Sequence, residues 1–136
     1  MYSSNEKISN ILKVKSEEIN IKCELDKWYI SILNKTIEEL NVNDVYRMLR
    51  QDILIEIAVD KAIKILEENP LEGEMYDGQL LELLYSLHIN KYKEYIPKVK
   101  DLLIKINSNI SSFEWMCDDD FKEYLDVMKR YLEKLC

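Results

Sequence analysis

From Ile53 to Glu68 the charged residues Glu56, Asp60, Lys64 and Glu67 fall on one stripe at spacings of three and four, and almost everything else in the segment is apolar. Such spacings stack side chains on one face of an α-helix, which completes a turn every 3.6 residues. A helix apolar over so wide an arc needs neighbours on most sides, so residues 53–68 are expected to form the central helix of an assembly of helices. Asn69 and Pro70 should stop it, because proline disfavours helical backbone in the residue before it. The chain of 136 residues holds only two glycines, Gly73 and Gly78, and two prolines, Pro70 and Pro97, too few for the turns of an all-β domain. The expectation is an all-α fold: a single compact domain over residues 1–136 with about six or seven helices, large enough to bury roughly two thirds of its unfolded surface.

Apolar residues keep helical period along most of the chain. A short helix is possible around Ile8, Ile11 and Leu12. The positions Ile21, Leu25, Trp28, Tyr29, Ile32 and Leu33 mark a long amphipathic helix ending near Asn34. Thr36 and Glu39 have capping-box spacing, and Asn43 is suited to cap a helix whose Val45, Met48 and Leu49 face inward while Arg47, Arg50 and Gln51 stay exposed. After a loop from Leu71 to Tyr76, Asp77 is a candidate N-cap, with Tyr76 and Leu81 at the spacing of a hydrophobic staple, for a helix running to about His88. A further stripe, Tyr92, Tyr95, Ile96, Val99, Leu102, Leu103 and Ile106, contains Pro97, which either kinks the helix or occupies its first turn. The last helix opens at Asp118, Asp119 and Asp120 and carries Phe121, Tyr124, Leu125, Met128, Leu132 and Leu135 on one face.

Several function classes are disfavoured. No stretch free of charged residues exceeds eight positions, against the roughly twenty apolar residues of a spanning helix, so no membrane association is expected. The start Met-Tyr-Ser-Ser-Asn-Glu-Lys lacks the basic and apolar regions of a secretory signal, which points to the cytoplasm. Cys23, Cys117 and Cys136 without CxxC spacing, and His88 as the single histidine, make no familiar metal-ligand set; reduced structural thiols are expected, and no metal or other cofactor. Asp118–Asp120 read as helix capping and dipole compensation in preference to a metal-dependent hydrolase site, since adjacent residues on a helix point apart. His88 reads as a surface or capping residue, Cys117 as inert beside three carboxylates, and most of the nine tyrosines as core. No catalytic residue is assigned, and the chain is not expected to be an enzyme.

Charge is the more informative feature. The net charge of −7 disfavours direct nucleic-acid binding, which needs cations to displace phosphate counterions. Residues 65–90 hold Glu67, Glu68, Glu72, Glu74, Asp77 and Glu82 with no Lys or Arg. These six carboxylates are either a solvated face or a docking surface for a basic protein.

Two stretches carry a family resemblance: Leu40-Asn41-Val42-Asn43-Asp44-Val45-Tyr46-Arg47-Met48-Leu49-Arg50-Gln51, and, past the central apolar helix, Glu67-Glu68-Asn69-Pro70-Leu71-Glu72-Gly73-Glu74-Met75-Tyr76-Asp77-Gly78-Gln79-Leu80-Leu81. Over about residues 35–84 the chain resembles the immunity proteins of bacterial contact-dependent growth inhibition systems, a class of polymorphic toxin systems. The resemblance implies a small helical protein that binds the C-terminal toxin domain of a delivered effector, commonly a nuclease, and inhibits it stoichiometrically, here as a monomer in a one-to-one complex. Gln79 departs from the pattern, in which an acidic residue is frequent. Pro70, Leu71, Gly73, Tyr76, Gly78, Leu80 and Leu81 read as a structural joint between two helices. The six carboxylates are the candidate toxin-binding residues. The alternative is a helical adaptor or assembly protein that holds a non-toxin partner in an apolar groove.

Overall fold

The computed structural model describes residues 5–110 and 118–135, apart from the side chains of Ser16, Asp118 and Asp120. They form an all-α protein of seven α-helices: α1 (Ile8–Leu12), α2 (Glu24–Leu33), α3 (Val42–Gln51), α4 (Ile55–Glu68), α5 (Gln79–Ser86), α6 (Ile96–Asn109) and α7 (Asp118–Leu135), with 3-10 segments at Ser16–Glu18 and Ile89–Tyr95. Contacts divide the chain into two compact units, residues 1–44 and 45–136, with the division inside the first turn of α3. Among the described residues no helix is long and apolar enough to cross a membrane.

In the first unit α1 packs against α2. Ile8 is fully buried, and its amide donates to the Lys35 carbonyl at 2.9 Å, while the Ile37 amide donates to the Glu6 carbonyl at 3.1 Å. α2 begins later than the stripe of apolar residues suggests. Ile21 lies outside it and is 59% exposed, and Leu25 is 39% exposed, so the buried face is Trp28, Ile32 and Leu33 alone. The Asp26 carboxylate accepts from the Lys22 amide at 2.9 Å and fixes the turn before the helix. Cys23, at that N-cap, is an exposed free thiol and no core residue; Cys117 and Cys136 lie outside the described residues.

Thr36 and Glu39 do pair, with the Glu39 carboxylate accepting from the Thr36 amide at 3.0 Å and its hydroxyl at 3.1 Å, but they close a turn and start no helix. The cap of α3 is Asn41, two residues before Asn43. The Asn41 Oδ1 accepts from the Asp44 amide at 2.9 Å and the Asp44 carboxylate accepts from the Asn41 amide at 3.0 Å, a reciprocal box. Asp44 is 3% exposed and also receives Trp28 Nε1 at 2.9 Å and Lys35 Nζ at 2.7 Å. Burial pushes its carboxyl up, but the Lys35, Asn41 and Trp28 hydrogen bonds outweigh burial and hold it below its ordinary range.

In the second unit Val45, Tyr46, Met48 and Leu49 of α3 are buried, with Arg47, Arg50 and Gln51 exposed. α3 closes on left-handed Asp52 (φ 59), with the Ile53 amide donating to the Met48 carbonyl at 3.0 Å. Leu54 is left-handed too (φ 45), which delays α4 to Ile55. α4 is the central helix of this unit, touching α5, the Ile89–Tyr95 segment and α6. It buries Ile55, Ile57, Ala58, Val59, Ala62, Ile63 and Leu66, each large aliphatic side chain contributing about 1.5–3 kcal/mol relative to exposure.

α5 ends at Ser86, before His88, and Lys134 of α7 donates to its terminal carbonyls at Tyr85 (2.6 Å) and Leu87 (2.9 Å). His88 is a capping residue, its Nδ1 accepting from the Asn90 amide at 3.2 Å. Pro97 occupies the first turn of α6, where its missing N–H costs nothing. α7 packs on α5 and α6 through Tyr124, Met128, Tyr131 and Leu135; Leu125 is 36% exposed and off that face.

Candidate functional site

The connection from α4 to α5 is a turn tied at its base. Asn69 ends α4 in a non-helical conformation ahead of Pro70, with its amide on the Ile65 carbonyl at 2.8 Å. The chain then doubles back: the Gly78 amide donates to the Leu71 carbonyl at 2.9 Å, and the Leu80 amide to the Glu72 carbonyl at 3.1 Å. Gly78, not Asp77, is the N-cap of α5, at φ +86, and a Cβ there would lie 2.4 Å from the Tyr124 ring. A Cβ on Gly73 would lie 1.7 Å from the Tyr76 carbonyl oxygen, so the backbone crosses itself there at a distance open only to glycine. The Tyr124 hydroxyl donates to the Pro70 carbonyl at 3.0 Å, and Leu80 and Leu81 are fully buried.

Pro70, Leu71, Gly73, Gly78, Leu80 and Leu81 therefore build the joint. Tyr76 stands apart. It is 37% exposed, forms no staple with Leu81, and its hydroxyl donates to the Glu82 carboxylate at 2.9 Å. The cap at Gly78 puts Asp77 and Glu82 at the two staple positions, both polar, which explains why the staple does not form.

The six carboxylates all lie along this segment. Glu67 and Glu68 are exposed at the end of α4, Glu74 is exposed in the turn, and Glu72, Asp77 and Glu82 are half-buried. Their charge is not wholly uncompensated. Arg50 of α3 reaches across with both terminal nitrogens 3.2 Å from Glu74 Oε2, its guanidinium 5.1 Å from the Tyr46 ring centre. Beneath it the Tyr46 hydroxyl is buried without a hydrogen-bond partner among the described residues. Burial, with the nearby Glu72 and Glu74 charges, pushes its pKa up.

Gln79 carries a structural role. Its Oε1 accepts from the Met75 amide at 2.8 Å, an acceptor function that a carboxylate would serve equally, which accounts for an amide at a position where the resemblance suggests an acid. The amide so held belongs to a residue that periodicity does not single out: Met75 is 83% exposed at the tip of the turn. The signal available in the sequence was its placement in a polar turn, outside every apolar stripe.

Elsewhere on this unit α4 and α6 border a groove lined by Asp60, Lys64, Glu67, Lys98, Asp101 and Lys105, of balanced charge, with Lys64 and Lys98 at 3.5 and 3.6 Å from Asp60. Among the described residues no three His, Cys, Asp or Glu side chains are grouped to hold a metal ion; the side chains of Asp118 and Asp120, and Cys117, lie outside them.

Residues 10–102 match the family model of the CDI immunity proteins. No curated protein matches the chain.

Proposed function

This chain belongs to the CDI immunity proteins, and from that premise we propose that it neutralises a cognate toxin domain by stoichiometric binding in the cytoplasm of the cell that makes it. The toxin is a basic protein, a nuclease in our reading, because a nuclease presents a cationic groove to its phosphate substrate and an acidic surface complements such a groove. The observation that carries the reading is the acidic turn: Glu67, Glu68, Glu72, Glu74, Asp77 and Glu82 gathered between residues 67 and 82, with Arg50 paired to Glu74. We assign the docking surface to these six residues. The immunity protein acts as one folded domain, monomeric before it binds, and performs no chemistry of its own.

The test is calorimetric titration against the C-terminal domain encoded by the large gene immediately upstream, at low and high salt. One-to-one binding that weakens as salt rises is expected, because exposed charges attract over a distance that salt shortens. Reversing Glu67, Glu68, Glu72 and Asp77 should weaken binding and flatten its salt dependence. Unchanged affinity and salt dependence in that variant would reject the acidic docking surface, and absence of binding by the unaltered protein would reject immunity toward that domain.

A further inference from the structure

Charge alone gives an association surface its reach and orientation, while tight complexes concentrate their energy in a few apolar or aromatic anchors that are fully desolvated at the centre. The α4–α5 turn holds one side chain of that kind. Met75 is 83% exposed, the highest value among the exposed large apolar residues that the structure describes. Among the described residues of this unit Ile104 and Leu125 are exposed on helix faces and Tyr76, beside Met75, is tied by its hydroxyl to Glu82, whereas Met75 projects from the apex of a turn.

The turn is prepared in advance. The Met75 amide is held by Gln79 Oε1 at 2.8 Å, the base is closed by the Gly78 to Leu71 and Leu80 to Glu72 hydrogen bonds, and Tyr76 beside it is tied to Glu82. A backbone fixed before the partner arrives loses little conformational entropy on binding, so the contact it presents is converted into affinity with small loss. Methionine, unbranched and polarisable, adapts to irregular apolar pockets. The neighbouring carboxylates define what surrounds that pocket: Glu74 is oriented by Arg50 and Glu82 by Tyr76, leaving an acidic rim about an apolar tip.

We propose that Met75 is the anchor of the toxin complex, entering a shallow apolar pocket on the toxin domain whose rim carries lysine or arginine. The proposal rests on the immunity reading above and divides the labour within it: the carboxylates speed encounter, and Met75 slows dissociation.

Association and dissociation rates of the full-length protein with the C-terminal domain of the upstream effector, measured at low and high salt, separate the two roles. Met75→Ala should raise the dissociation rate by roughly 30-fold, the lower bound for an anchor residue, with the salt dependence of association unchanged. Met75→Leu should keep most of the residence time. Glu72→Gln combined with Asp77→Asn should slow association and flatten its salt dependence, with a dissociation rate near that of the unaltered protein. A Met75→Ala rate within twofold of the unaltered protein would overturn the anchor while leaving immunity intact. If the unaltered protein does not bind, both fall together.

Discussion

The hydroxyl of Tyr92 lies 2.8 Å from that of Tyr131, and both residues are fully buried, so two phenols 39 positions apart satisfy each other in the core between the 3-10 segment and α7. Removing one partner strands the other. Tyr131→Phe is expected to cost about 1–2 kcal/mol, Tyr92→Phe a similar amount, and the double replacement less than their sum, since two apolar rings need no partner. Urea unfolding of the four proteins closes the cycle; strict additivity would show that the two hydroxyls are satisfied independently.

Tyr46→Phe should behave in the opposite way. Its hydroxyl is buried with no well-formed hydrogen bond among the described residues, the Glu74 backbone lying close by, so removal deletes a desolvated group and at most a weak bond. Stability is expected to stay level or rise by up to about 1 kcal/mol, read from the same urea transitions. A loss comparable to that of Tyr131→Phe would mean that a hydrogen bond had been broken.

Asp44 makes the first unit sensitive to acid. Its carboxylate receives Trp28, Lys35 and the Asn41 amide, and its pKa in the folded protein lies below the ordinary value of 3.8. The unfolded chain therefore takes up this proton first as pH falls. The contribution to stability is complete above about pH 4 and is lost as pH drops through the lower folded-state value. Asp44→Asn should be less stable at neutral pH by on the order of 2–3 kcal/mol, through the weakened Lys35 contact, and should lose less further stability between about pH 4 and pH 2. Parallel acid-unfolding curves for the two proteins would contradict this.

Gly78→Ala is expected to destabilise by about 2–4 kcal/mol. The left-handed backbone at φ +86 accounts for about 1–2 kcal/mol of this, and the rest comes from displacing the Tyr124 ring, 2.4 Å from the added carbon. Thermal unfolding measures it. A cost below about 1 kcal/mol would mean that Tyr124 and its bond to Pro70 shift freely, contrary to a rigid joint.

The helices were legible where apolar spacing and burial agree. The stripe over residues 53–68, the stop at Asn69-Pro70, the inward Val45, Met48 and Leu49, and Pro97 in a first turn all follow from periodicity and backbone chemistry. Boundaries were less so. Ile21 and Leu25 extend the stripe of α2 without sharing its burial, because periodicity records which face a residue would occupy and not whether a neighbour covers it. On α7 the buried series is Tyr124, Met128, Tyr131 and Leu135; a phenol at 131 and a leucine at 125 mislead, since the tyrosine is buried by virtue of a partner 39 residues away.

Caps were displaced for a related reason. Asn41 and Asp44 satisfy the same spacing rule as Thr36 and Glu39, and only the first pair opens a helix; at α5 the left-handed Gly78 supplants Asp77. The acidic segment was visible as composition. Its connection to Arg50, and the bracing of Met75 by Gln79, depend on how the chain folds back on itself, which no local pattern encodes.

The tied base of the α4–α5 turn separates two kinds of position that are adjacent in sequence. Gly73 and Gly78 admit no side chain, and Leu80 and Leu81 no polar one, whereas Glu74 and Met75 are exposed, the first tied to Arg50 by its carboxylate and the second held through its backbone amide. Substitutions at the apex leave the joint standing, so on the docking surface proposed above one lineage could diversify its recognition of an opponent without first evolving a new scaffold.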